Sequence, residues 1–157
     1  MKNYQCQITL PSAIIPIYEN GANVSKLLFA DGSISIKHVK PSSFTRIISN
    51  NQGLNEATVK KKLKKELKLK NLVPKPIRNY HVYIYVKMRK ALIPKDEAYG
   101  YVDCFQIEDL KPTKEGCEIT LDNGIKVHSC QKESGINNHI NIGKLANEIF
   151  FRSFLNS

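Results

Sequence analysis

Twelve of the chain's 24 Lys and Arg residues fall between Lys60 and Lys90, where Glu66 is the sole acid. The remaining 126 residues hold 12 basic against 13 acidic groups, so the net charge of +10 is one local feature. Cations at this density suit phosphate neutralisation, which releases condensed counterions and gives a strong, salt-sensitive affinity for polyanions. The chain is rich in Lys, Asn and Ile throughout, but an even spread would leave only about five basic groups in those 31 residues. Nucleic acid is the expected partner.

Other chemistries find less footing. Cys6, Cys104, Cys117 and Cys130 form no CxxC pair, and buried reduced thiols are expected of them; a zinc set from Cys117, His128 and Cys130 lacks the paired spacing such sites use. Asp96 with Glu97, and Glu108 with Asp109, are adjacent carboxylates whose side chains diverge on either a strand or a helix, which is poor geometry for metal-assisted hydrolysis. No Gly-rich phosphate loop, Ser-His-Asp order or HExxH helix is present. The expectation is a protein without enzymatic activity, cofactor or metal. No run of 18 apolar residues occurs and the amino terminus shows no cleavage signature, which predicts a cytoplasmic protein.

The elements that must position the cations can be read from periodicity. Of 157 residues 41% are hydrophobic, enough for one compact domain over residues 1–157. YQCQITL, AIIPIY, VSKLLFA and SISIKHV read as strands, the last two joined by the tight turn Asp31-Gly32. Ser42 to Ser49 places Phe44, Ile47 and Ile48 at helical spacing before a break at Asn50-Asn51-Gln52-Gly53.

Asn55 can cap a second helix, in which Val59, Leu63 and Leu67 recur every four residues until Pro74 forbids continuation. At 100° per residue, Lys61, Lys64, Lys65 and Lys68 fall between about 140° and 240° from Val59, opposite the apolar stripe. Lys60, Lys62 and Lys70 flank its edges. The candidate DNA contacts are Lys60, Lys61, Lys64, Lys65 and Lys68 of this helix, Lys75 beyond it, and Arg78, Lys87 and Arg89 of the next segment.

From Ile77 to Arg89 the pattern alternates, with Tyr80, Val82, Ile84, Val86 and Met88 on one face and His81, Tyr83, Tyr85, Lys87 and Arg89 on the other. The second face reads either as a half-exposed sheet surface or as a platform on which the bases of RNA or single-stranded DNA stack. Strands are expected at YGYVDCFQI and CEITL, with Asp122-Asn123-Gly124 turning the latter into IKVHSC. A closing amphipathic helix is expected from Asn138 to Phe154, with Ile142, Leu145, Ile149, Phe150 and Phe154 on its apolar side. That side packs on the sheet or offers an edge to a homodimer. The predicted fold is α+β: antiparallel hairpins, a central basic helix and a C-terminal amphipathic helix. Besides the single-strand binder, a basic protein-interaction module or membrane-surface helix is the other alternative, weakened because Val59, Leu63 and Leu67 are few and lack an aromatic anchor.

Several segments, in order, resemble the competence transcription factor family of Gram-positive bacteria, the ComK-like activators. They are IIPIYENGANVSKLL, KPSSFTRI, the Gly53 break before the basic stretch, VPKPI at residues 73–77, and CEITLDNGIKVHS, spanning about residues 14–150. The chain departs from the family pattern where GLNEATVKKK replaces a Gly-rich stretch ending in Gly-Arg, where no tryptophan follows the central strand, and at a shorter carboxyl end. The resemblance implies a sequence-specific transcriptional activator that binds paired A/T-rich boxes in double-stranded DNA, largely through the minor groove, as a homodimer or higher homo-oligomer. It carries over by position to Lys60 through Lys68 and to Lys75.

Overall fold

The computed structural model describes residues 9–90 and 98–155, with side chains through 152. The expected strand over residues 4–10 lies almost wholly outside them, as do Cys6, Asp96, Glu97 and the Phe154 side chain. The architecture is α+β, with nine strands in two antiparallel sheets and three α-helices among the described residues.

Strands β1 (Ala13–Glu19), β2 (Ala22–Leu28) and β3 (Ile34–Lys37) form one half of a six-stranded sheet, and β4 (Lys75–Arg78), β5 (His81–Lys87) and β6 (Tyr99–Asp103) form the other, in the order β3-β2-β1-β6-β5-β4. The halves meet at Ala13↔Val102 and Ile14↔Tyr101. Pro16 sits inside β1 without disrupting the sheet because that short seam ends before it, and its missing N–H faces no ladder partner on the β6 side. A two-residue turn, Asn20-Gly21, joins β1 to β2 with both φ angles positive (52° and 79°), the geometry that matches strand twist.

A second sheet, β7 (Ile107–Thr113), β8 (Gly116–Leu121) and β9 (Lys126–Ser129), follows a short 3-10 turn at Cys104–Gln106. The segment read as one strand, YGYVDCFQI, is thus split by that turn between β6 and the start of β7. Asn123, in the β8–β9 turn, donates from Nδ2 to the carbonyls of Phe29 and Ala30 and so clasps this turn to the β2–β3 turn.

Helix α1 (Pro41–Asn51) begins on a proline, whose absent donor costs nothing in a first turn, and lays Phe44, Thr45 and Ile48 on one face of the large sheet against Ile14, Leu27, Ile77, Tyr83 and Tyr101. Helix α3 (Glu133–Leu155) covers part of the other face. Its Ile136 and Ile140 join Ala13, Leu28, Val82, Ile84, Val86 and Val102 from the large sheet and Cys117, Ile119, Leu121 and Val127 from the small one. Each Val, Leu or Ile among them taken from water contributes about 1.5–3 kcal/mol before entropy is charged against it. α3 starts five residues before the expected Asn138, and Leu145, expected on its apolar side, is 50% exposed; Ala146 and Asn147 are buried in its place.

The large sheet is therefore covered on both faces, which corrects the face assignment of β5. Tyr83, expected among outward rings, is 1% exposed and donates its hydroxyl to the Pro11 carbonyl at 2.7 Å. Burial pushes its phenol well above the usual value. Tyr80, expected inward, lies in the β4–β5 turn at φ +66° and is 62% exposed.

Candidate nucleic-acid interface

Helix α2 (Glu56–Glu66) carries Lys60, Lys61, Lys62, Lys64 and Lys65, all exposed. Asn55 caps it, accepting the Thr58 N–H at 3.0 Å, and satisfies one of the donors a helix start leaves open. A single side of the helix is anchored. Leu63 is fully buried against Val73 and Ala146, with Val59, Leu67, Leu69, Ile149 and Phe150 around it. None of the five lysines has a carboxylate within ion-pair distance among the described residues. Their charge is left to solvent or to an external anion.

Lys68 departs from its expected place. The helix ends at Glu66, with Leu67 as cap, and Lys68 follows at φ +55°, outside the helical face. The chain turns there because Leu67 and Leu69 both reach the Val73–Ala146 cluster, which a straight continuation to Pro74 would not allow. Lys68 is still exposed, beside the helix end.

Lys75 turns inward. Its Nζ donates to Thr45 Oγ1 at 2.8 Å, lies 3.4 Å from Glu56 Oε2 and sits over the Tyr101 ring at 4.6 Å, with only 10% of the side chain exposed. It fastens the start of α2 to α1 and to the sheet, which leaves its ammonium no reach to a phosphate. Arg78, half-buried at the end of β4, borders an open groove with Gln52, Leu54 and Phe150.

Lys87 and Arg89 belong to the opposite end of β5. The Lys87 backbone is held by Gln131, Ser129 and Cys130, and Arg89 stacks on the Tyr18 ring at 4.6 Å while its Nη2 reaches Asn23 Oδ1 at 3.1 Å. A seven-residue strand spans about 20 Å, so these two cations do not share a surface patch with Arg78. The nine candidates divide into the α2 set with Lys68, the inward Lys75, the groove-lining Arg78, and the distant Lys87 and Arg89.

Two side chains not singled out as contacts stand beside the α2 set. Arg46 and Asn50 of α1 line an open groove of about 410 Å³ whose other wall is Asn55, Glu56, Ala57 and Lys60. The sequence held a signal for them, since at 100° per residue Arg46 and Asn50 fall about 200° and 240° from Phe44, away from Ile48, in the helix just before the Gly53 break.

The stacking platform has little surface. Tyr83 is enclosed, and Tyr85 is half-buried against Tyr101 at 4.8 Å and Tyr99 at 6.1 Å. His81 Nδ1 pairs at 2.9 Å with the buried Asp103, whose carboxylate also accepts from the Phe105 N–H and Gln106 Nε2. That carboxylate organises the β5–β6 end of the sheet. Burial pushes the Cys104 thiol up to about 12, and the Cys117 thiol is likewise raised, so both act as small core hydrophobes. Among the described residues no three His, Cys, Asp or Glu side chains gather as a metal site, and no helix is long and apolar enough to cross a membrane. No protein-family model, curated protein or solved structure matches the chain, and the likeness to the competence transcription factors rests on the quoted segments alone.

Proposed function

We propose that the protein is a cytoplasmic DNA-binding transcriptional regulator that holds double-stranded DNA through α2. The observation that carries the reading is five lysines on an eleven-residue helix, every one exposed and none matched by a carboxylate among the described residues. A helix that buries one leucine and exposes five lysines against one acid, Glu66, suits a polyanion, and the regular phosphate spacing of a duplex is what a rigid rod of charges fits. The two acids of α2 stand at its ends, Glu56 beside Lys75 and Glu66 at the last turn, while Glu108, Asp109, Glu118 and Asp122 gather on the small sheet or its turn. A homodimer or higher homo-oligomer belongs to the same reading.

The test is a titration of a labelled duplex by anisotropy across several salt concentrations. With about six phosphates neutralised per protomer, log K falls against log salt with a slope of about −5. Reversal of Lys60, Lys61, Lys64 and Lys65 to Glu lowers affinity for every duplex and flattens that slope. Wild-type duplex affinity in this variant overturns the reading.

A further inference from the structure

We propose that α1, the Gln52–Asn55 turn and α2 form a helix-turn-helix unit that lays α2 in the major groove of duplex DNA; the inference rests on the DNA-binding reading above. Two eleven-residue helices are separated by four residues, and both ends of that connection are closed by hydrogen bonds. Gly53, at φ +73°, donates to the Asn50 carbonyl at 3.0 Å, and Leu54 donates to the Ser49 carbonyl at 2.9 Å, the paired bonds of a glycine-terminated helix. The next residue, Asn55, already caps α2. A connection with no loose residue fixes the direction in which α2 leaves α1, as a reading head requires.

The packing beneath the turn fits the same role. Ser49, 2% exposed, presents a small side chain where α1 faces Leu54 and Val59 across a shallow cleft, and small volume there lets the second helix come close. Leu63 pins the far end of α2 to Val73 and Ala146. With those contacts made, Ala57, Lys60, Lys61 and Lys64 stand at i, i+3, i+4 and i+7 along one exposed stripe. Arg46 and Asn50 rise from α1 on the other side of the groove beside it. The acid in that groove, Glu56, has its charge compensated by Lys75 and does not repel a phosphate.

A helix is about 10–12 Å across with its side chains and the major groove about 12 Å wide, whereas the minor groove at about 6 Å admits none. In such a unit the early residues of the second helix meet base edges while the first helix crosses the backbone. Ala57 and Lys61 then face the bases, the methyl suiting a thymine methyl and the ammonium the O6 and N7 acceptors of guanine. Arg46, Lys60 and Lys64 contact phosphate. This differs from the minor-groove mode that the family resemblance implies.

Inosine substitution separates the two grooves. A preferred duplex is first selected from a random pool with the full-length chain. Each A·T pair of the selected core is then replaced by I·C, which changes the major-groove edge and keeps the minor-groove one; each G·C pair is separately replaced by I·C, which does the reverse. Loss of about tenfold or more in affinity on the first replacement, with less than twofold on the second, is the expected result. Lys61→Ala relaxes preference at one base pair, while Lys60→Ala weakens all duplexes alike. The opposite inosine pattern, or duplex binding with no sequence enriched, overturns the helix-turn-helix inference and leaves the DNA-binding reading standing. Absence of any salt-dependent duplex binding removes both.

Discussion

Lys75→Met isolates what the inward lysine does. The substitution keeps the aliphatic stem between Tyr85 and Tyr101 and deletes the ammonium that lies 3.4 Å from Glu56 Oε2 and 2.8 Å from Thr45 Oγ1. Glu56 Oε2 is buried and accepts no hydrogen bond in proper geometry, so the Lys75 charge is its compensation. Removal of one member of a largely buried pair costs about 3–5 kcal/mol, mostly as the penalty on the charge left behind. Because the Glu56 side chain keeps 23% exposure, the lower end applies, about 3 kcal/mol. In urea this moves the unfolding midpoint down by about 1.5 M at a slope near 2 kcal/mol per molar, with the slope itself unchanged. Lys75→Met with Glu56→Gln removes the stranded charge and recovers to within about 1 kcal/mol of the wild type. Below the unfolding transition, the salt slope of duplex binding stays at the wild-type value, whereas loss of a phosphate contact would reduce it by about 0.9. A Lys75→Met protein within 0.5 kcal/mol of the wild type (about one-sixth of the expected loss), or singles whose costs simply add in the double, refutes the argument.

Two further substitutions probe α3. A Cβ at Gly143 would lie 2.7 Å from Ile84 Cγ2 and 2.9 Å from Cys104 Sγ, so Gly143→Ala overpacks the helix–sheet contact and lowers stability by about 1 kcal/mol net of its better helix propensity; Gly135→Ala, with nothing nearer than 4.0 Å, stabilises the same helix by up to about 1 kcal/mol. Equal melting shifts for the two would contradict this. Burial holds the His139 imidazole below its usual 6.5, so the unfolded chain takes up its proton first as the solution is acidified. His139 therefore stabilises above pH 6.5 and less as pH falls below it, and urea midpoints from pH 7.5 to 5.5 should decline more steeply in the wild type than in His139→Gln; parallel curves would rule out the linkage.

Much of the frame was legible because turn chemistry is local. Asp31-Gly32 and Asp122-Asn123-Gly124 close hairpins where the residues demand it, and Asn55 caps the helix it precedes. The Asn20-Gly21 turn carried an equally plain signal. Features set by distant partners were not legible. Alternation along β5 was real, yet His81, Tyr83 and Tyr85 lie on a face that α1 helps cover, and period two cannot tell a helix-covered face from a wet one. β7, with Glu108, Asp109, Lys111 and Pro112, has too little apolar content to read as a strand and pairs as an edge. At the candidate interface the density of lysine was visible at once. The inward turn of Lys75 was not, because it depends on Thr45 and Glu56, residues that nothing local to VPKPI reveals.

The narrow seam between the two halves of the large sheet has a kinetic consequence. Each half, residues 13–37 and 75–103, zips from near neighbours, but Ala13↔Val102 joins them only after the ends of the intervening connection at residues 38–74 have met. Loop closure on that scale is entropically uphill until the contacts it enables have formed, which places zipping of the seam late and slow in assembly. The lysine helix is carried on that intervening stretch, with its underside resting on Val73 and Ala146 from either side of the junction. The charged surface takes its ordered form only once α3, the last element along the chain, has docked beneath α2, so a nascent chain shows its cations loosely before it shows them as an ordered array.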